Sequence, residues 1–415
     1  MMRQEVRPRR RGFLFLQGPH GAFFRRLGDR LAWEGQRVER INFNAGDRRD
    51  WGKGGHDFAG SEEDWPLFLD GFIEAHDITD LVLYGDCRPL HHTAHGIARL
   101  RGCRIHVFEE GYIRPDFMTL ERDGVNGNST LSRDPEWYLA EAAALPPAPD
   151  LPPIAGSFER RLRETMSYHW LMTTRWAQFR HYRNHRPMNT AAEAAGWMWK
   201  WAKRPRDRRR SAAALRTLGE SPFFCFPLQL SSDAQIRIHS PFADMAVAIR
   251  YVVRSFARHA PAGTMLVIKQ HPLAADMVNY DRIVRREAEQ AGVASRVLYV
   301  ERGNIDALVA RALGVVTVNS TTGTLALRQG TPTKVLGQAV YDIPRITHQG
   351  SLDAFWSHPV PPEAAVYDAF CRVLRQRCLV HGGYHSEEGL DRLIDGSARR
   401  LLAREEATAP AAIPA

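Results

Sequence analysis

Nothing in the 415 residues runs apolar for the length of about 18 residues that a membrane-spanning helix needs. The five cysteines, Cys87, Cys103, Cys225, Cys371 and Cys378, are scattered, odd in number and without C-x-x-C or other metal-ligand spacing. That usage suits a reducing cytosol and argues against a disulfide framework or a zinc site. A P-loop, a G-x-G-x-x-G fingerprint and an internal repeat are all missing. A signal peptide is not expected either: "MMRQEVRPRRRGFLFLQG" is basic and then apolar, but the apolar stretch is short and lacks a small-residue cleavage site, so it reads as a first core strand.

What is present is the composition of a globular protein, 44% hydrophobic and 25% charged, in a chain long enough for two domains of about 150 to 200 residues. The net charge of +9 implies a partner bearing phosphates or other acidic groups: nucleic acid, an anionic membrane surface or an acidic substrate.

Strand and helix patterns alternate from the start. Residues 13–16 read as a strand, 17–21 as a Gly/Pro loop, 23–34 as a helix and 38–43 as a second strand, a βαβ opening. "DITDLVLYGD" and "CRIHVFEEGYIRPD" add two more strands around a helix. Residues 142–156 are rich in Ala and Pro and read as a linker. The helical stretch after them is dense in Trp, Tyr and Arg and ends in a basic run from Lys203 to Arg210. Two readings of it compete: a connecting helical hairpin packed on both domains, or an interfacial element with aromatics at headgroup depth. From Ser221 the alternation resumes through "FFCFPLQL", "TMLVIKQHP", "RVLYVER", "GVVTVNS" and "PTKVLG". The expected organisation is α/β, with two Rossmann-like doubly wound domains facing a cleft: 12–140, a linker and helical segment at 141–215, a second domain at 216–350, and C-terminal helices with a disordered tail at 351–415.

Ligands of such sheets lie beyond the carboxyl ends of the strands, so those loops carry the candidates. "VIKQHPL" places Lys269, His271 and Pro272 after one strand, the imidazole suited to meeting or protonating a phosphate. "TVNSTTG" follows another with Asn319, Ser320, Thr321, Thr322 and Gly323, small polar residues at the start of a helix that suit an anion; plain N-capping needs only one of them. Glu109 and Glu110 end a first-domain strand, where alternation lets one of the two face a cleft as a base. Gln17, Gly18 and His20 form a strand-to-helix loop, and Asn42 and Asn44 follow the next strand with side chains suited to a polyol or a lipid headgroup. In "PLQLSSDAQIRIHSPF" (227–242), Gln229, Asp233, Gln235, Arg237 and His239 crowd together, and Asp233 taken alone reads as a helix N-cap.

In order along the chain, E-E-G (109–111), H-P (271–272) and S-T-T (320–322) resemble the motifs of bacterial sialyltransferases and Kdo transferases. "FLQGPHGAFFRRL", "INFNAGD", "FEEGYIRPDFMTLERDGVNGNS" and "QLSSDAQI" resemble the capsule polysaccharide proteins of the KpsS/LipB type, the likeness running from about residue 13 to 350. The resemblance implies a GT-B fold and transfer of β-Kdo from CMP-Kdo to a (lyso)phosphatidylglycerol-type lipid. It implies a peripheral enzyme on the inner face of the cytoplasmic membrane, working with other capsule synthesis and export proteins. Carried over, Gln229 and Asp233 match a Q-x-x-x-D element whose Asp is the nucleophile of a retaining double displacement, with Gln235 beside it. His271 would contact the CMP phosphate, Ser320, Thr321 and Thr322 would bind it, and the Glu109/Glu110 pair would supply acid/base catalysis for the acceptor. A monophosphate leaving group and the lack of a D-x-D motif imply no catalytic metal and no cofactor beyond the donor. The rivals are transfer of another CMP-activated keto sugar and a non-catalytic capsule assembly or export factor. Nucleic acid is disfavoured, because the charge is spread over helix faces rather than set on a recognition surface.

Overall fold

A computed structural model describes residues 10–184, 190–230, 234–274 and 278–403, without the side chains of 190–194 and 234–235. Twelve strands among the described residues form two sheets. The first sheet contains β1 (Gly12–Phe15), β2 (Arg37–Asn42), β3 (His56–Asp57), β4 (Asp80–Tyr84), β5 (Arg104–Glu110), β6 (Phe117–Arg122) and, from the far end of the chain, β12 (Leu379–His381). Its order is β12-β6-β5-β4-β1-β2-β3, parallel from β5 through β3 and antiparallel where β6 joins β5 and β12 joins β6. The second comprises β7 (Phe223–Pro227), β8 (Met265–Lys269), β9 (Val297–Val300), β10 (Gly314–Thr317) and β11 (Thr333–Val335), all parallel in the order β11-β10-β7-β8-β9.

Strands buried on both faces need apolar residues at every position rather than at alternate ones. "GFLF" in β1 and "FFCFP" in β7 meet that demand, and every residue of both is buried. The covering helices are amphipathic. In Met245–His259 the buried Met245, Ala248, Ile249, Val252, Val253 and Phe256 recur at helical spacing and lie in the core over β7 and β8.

The aromatic and basic stretch is helical and touches both halves of the chain. The helix Phe158–Thr174 packs on the short helix Ala45–Trp51, and the helix Thr190–Leu218 packs on β9. One helix thus packs on each half of the chain, yet Trp170, Trp176, Trp199 and Trp201 remain more than half exposed.

One expectation is corrected. The segment after residue 351 is not helical throughout, because β12 returns to the first sheet and the helix Glu387–Leu402 packs on Phe23–Trp33. Leu390, Leu393 and Ile394 thereby join the core around Phe13 and Phe23, so the first domain is built from both ends of the chain. The tail beyond residue 403 lies outside the described residues.

Candidate functional site

In each sheet the chain starts at a central strand and later crosses to its other side, so β1/β4 and β7/β10 are the topological switch points. The crevices beyond their carboxyl ends are where an open α/β sheet takes ligands.

At the first crevice, Gln17 follows β1 and Arg88 follows β4. Arg88 Nη1 donates to Gln17 Oε1 at 2.8 Å, while Gln17 Nε2 lies 2.8 Å from Tyr168 Oη and 3.0 Å from Tyr182 Oη. Beneath them sits a buried carboxylate, Asp47. It accepts from Tyr168 Oη at 2.9 Å, from the Phe43 N–H at 3.0 Å and from Gln17 and Asn44 at 3.3 Å, and it faces the buried Arg40 guanidinium at 3.4 Å. Burial depresses the Arg40 pKa while Asp47 opposes that shift, and burial pushes the Tyr168 hydroxyl well above its ordinary value.

Above this floor opens a pocket of about 200 Å³. Gln17, Gly18 and His20 of the first loop, Arg88 and Glu110 line it, joined by Arg161 and Tyr168 from the linker helix and by Tyr384 and His385 from the C-terminal segment. His20 stacks on Tyr168 with ring centroids 4.3 Å apart, and its Nδ1 lies 3.2 Å from Thr165 Oγ1. The two glutamates separate as strand alternation demands. Glu110 reaches the pocket, whereas Glu109 folds back so that its Oε1 accepts from the Glu110 N–H at 2.9 Å. Asn42 and Asn44 do not reach it. Asn42 is buried between Arg40 and Asp57, and Asn44 caps the helix Ala45–Trp51 by accepting from the N–H groups of Gly46 and Asp47.

The second crevice is organised by a pair of amides. Gln229 Nε2 donates to Asn319 Oδ1 at 2.8 Å, and the Asn319 N–H donates to Gln229 Oε1 at 3.1 Å. Beyond Asn319 the half-exposed Ser320 hydroxyl accepts from the Thr322 N–H at 3.1 Å and donates to Thr322 Oγ1 at 3.2 Å. Tyr341 Oη donates to the Ser320 carbonyl at 2.5 Å. Gly323 is required there, since a Cβ would stand 2.3 Å from the Tyr341 oxygen. Thr321 is the N-cap position of the short helix that follows.

Beyond β8, His271 Nδ1 accepts from the Leu273 N–H at 3.1 Å. Burial first, and then the cations Lys200, Lys269 and Arg114, bring its pKa down to about 4. Lys269 is buried and donates to the carbonyls of Gln270 and Glu301, which makes it a brace of strand ends. Pro272 is exposed, and its carbonyl accepts from Lys200 Nζ at 2.6 Å. Asp233 and the side chain of Gln235 lie outside the described residues. Arg237 is exposed and His239 buried.

The two crevices communicate. Cys87, next to Arg88, lies 3.2 Å through its Sγ from His239 Nε2, and the His239 carbonyl accepts from Asn319 Nδ2 at 3.2 Å. Sequence reasoning missed Arg88, Arg161, Tyr168, Tyr384 and His385. Arg88 was within reach, since it follows the strand ending at Tyr84. The linker and C-terminal residues carry no local signal, because only packing brings them to the pocket.

Residues 79–385 match the family described as capsule polysaccharide biosynthesis protein. The chain is 35% identical over 385 residues to the capsule polysaccharide modification protein LipB of Neisseria meningitidis serogroup A / serotype 4A, which spans 90% of this chain and 91% of that one. It is 33% identical over 383 residues to the capsule polysaccharide export protein KpsS of Escherichia coli, spanning 90% and 96%. Among solved structures it is similar to Thermosulfurimonas dismutans KpsC, a beta Kdo 2,7 transferase, with a TM-score of 0.44 and 13% identity over 92% of this chain and 99% of that one. That structural likeness is too loose to bear on chemistry.

Proposed function

The chain belongs to the capsule polysaccharide biosynthesis protein family, and from that premise we propose that it is a glycosyltransferase moving β-Kdo from CMP-Kdo to a (lyso)phosphatidylglycerol-type lipid. The observation that carries this reading is the division of labour between the crevices. Glu110 shares its pocket with Arg88, Gln17 and His20, a carboxylate among hydrogen-bonding groups suited to an acceptor. The other crevice offers Gln229, Asn319 and the Ser320 and Thr322 hydroxyls, which suit a phosphorylated sugar.

In this reading the Asp233 carboxylate attacks the anomeric carbon of Kdo as its bond to the phosphate oxygen breaks, giving a glycosyl-enzyme and CMP. His271 is neutral at pH 7, and since its Nδ1 accepts from a backbone N–H its proton resides on Nε2. It thus gives the departing phosphate one hydrogen bond. The acceptor hydroxyl then attacks the anomeric carbon, the bond to Asp233 breaks, and Glu110 takes the hydroxyl proton. Gln235, Thr321 and Gly323 shape the donor side, and Glu109 orients the loop of Glu110.

Contact with an anionic membrane, as a peripheral protein on its cytoplasmic side, is part of the proposal. Among the described residues no helix is long and apolar enough to cross a membrane. Trp197, Trp199 and Trp201 are exposed beside basic groups, with Lys200 Nζ 5.3 Å from the Trp197 ring and Lys203 Nζ 4.5 Å from that of Trp199. Aromatic rings with ammonium groups suit the headgroup region of such a surface.

The test is incubation with CMP-Kdo, other CMP-activated keto sugars and a phosphatidylglycerol analogue, reading CMP release and product mass. Intact-protein mass spectrometry of Glu110→Gln is expected to show a Kdo adduct, and peptide mass spectrometry after digestion to find it on the peptide containing Asp233. Absence of both CMP and adduct with every donor overturns the transferase reading in favour of an export factor, the role named for the Escherichia coli relative.

A further inference from the structure

Asp86, Cys87 and His239 bring one ligand atom each within 4.8 Å of the others, at the contact between the two crevices. Cys87 Sγ lies 3.2 Å from both Asp86 Oδ1 and His239 Nε2. A carboxylate, a thiol and an imidazole converging on one point form a mixed donor set of the kind that holds Zn²⁺. In a tetrahedral site with Zn–S of 2.3 Å and Zn–N near 2.0 Å, sulfur and nitrogen stand about 3.5 Å apart, so the observed pair need open by only a few tenths of an ångström.

The surroundings hold these groups as outer-shell partners hold metal ligands. Asp86 is buried, and its Oδ2 accepts from the Val125 N–H and from Asn128 Nδ2, each at 3.1 Å, which leaves Oδ1 directed at the thiol. His239 is 2% exposed, and its ring fits only because residue 127 is glycine: a Cβ there would meet Nδ1 at 2.2 Å. His91 Nδ1 lies 2.7 Å from the Gly85 carbonyl, fixing the turn that presents Asp86 and Cys87.

We infer that Asp86, Cys87 and His239 form a Zn²⁺ site that clasps the two domains, with a fourth position open to water. Binding releases the Cys87 thiol proton to solvent and leaves the thiolate on the metal. The site joins the loop that carries Arg88 to the loop after β7, whose His239 carbonyl accepts from Asn319 Nδ2, so the ion sets the separation of the two crevices. This inference does not depend on the identity of the transferred sugar.

The experiment uses the full chain stripped with a chelator and titrated with Co²⁺. One equivalent is expected to produce thiolate-to-cobalt charge-transfer absorption in the near ultraviolet, bleached by Zn²⁺, and lost or weakened at least tenfold in Cys87→Ser and His239→Gln. In the unmodified protein, Zn²⁺ is expected to protect Cys87, and not Cys371, from alkylation read by peptide mass spectrometry, a measurement that needs no variant to fold. Cobalt absorption without the charge-transfer band places the ion elsewhere, for instance on Glu39, His56 and His76, and overturns the inference. Alkylation of Cys87 unchanged by Zn²⁺, or a band that survives in Cys87→Ser, overturns it as well.

Discussion

Gln229 and Asn319, 90 residues apart, hold each other across the β7/β10 switch point, side-chain amide to side-chain oxygen at 2.8 Å and side-chain oxygen to backbone N–H at 3.1 Å. Gln229 is 5% exposed, so cutting it back leaves the Asn319 N–H and Oδ1 without their partners in a place water reaches poorly. Gln229→Ala should cost about 1–3 kcal/mol in urea unfolding and weaken donor binding. Gln229→Glu keeps the acceptor for the Asn319 N–H but sets a buried carboxylate against Asn319 Oδ1, and should cost at least as much as Gln229→Ala.

Removal of Arg40 exposes the weakness of a buried pair. Its guanidinium and Asp47 are 3% and 2% exposed and lie 3.4 Å apart. Arg40→Met leaves a carboxylate uncompensated in the interior, and the expected loss is roughly 3–5 kcal/mol in denaturant unfolding. Arg40→Met with Asp47→Asn should recover part of it, because the charge is then gone.

His271 ties stability to pH in a definite direction. Its folded pKa of about 4 lies below the ordinary 6.5, so between those values the unfolded chain binds more protons than the folded one. Stability contributed by the neutral ring is complete above pH 6.5 and is lost as pH falls toward 4. The ring is partly solvated, so the difference in unfolding free energy between the unmodified protein and His271→Gln should change by on the order of 1 kcal/mol across that window. A difference that is flat with pH would contradict this assignment.

Glu109 and Glu110 should separate in kinetics as they do in space. Glu110→Gln removes the pocket carboxylate and should lower kcat by about 10²–10⁴. Glu109→Gln keeps the oxygen that accepts from the Glu110 N–H, and should cost about tenfold or less. Equal losses in the two variants would assign the acid/base to neither geometry.

Tyr384 lines the pocket with 4% exposure, and its hydroxyl has no hydrogen-bond partner among the described residues. A buried donor left unpaired is a cost that a bound ligand can relieve. Tyr384→Phe should therefore leave the melting temperature unchanged or raise it, while KM for the acceptor rises about tenfold.

The fold was legible wherever burial imposes a pattern. Unbroken apolar strands such as β1 and β7, followed by amphipathic helices, announce a parallel sheet because both of its faces must be covered. The three residues of β12 were not legible, since so short a run between two helices has no period of its own; its partner β6 lies more than 250 residues earlier. Strand alternation likewise announced that Glu109 and Glu110 would face opposite ways, but not which of them would meet the pocket.

The sequence by itself determined the alternating α/β architecture and the strand-end loops where polar residues collect, because these follow from local periodicity and short-range turn chemistry; the family came from the resemblance of several long motifs matching in order. Tertiary structure alone decided that Tyr384 and Arg161 complete the pocket of Gln17, that Asn44 serves as a helix cap, and that Cys87 meets His239 across 152 residues of chain. Contacts of that kind depend on how separate elements pack, and no spacing along the chain encodes the distance between two atoms that only the folded core brings together.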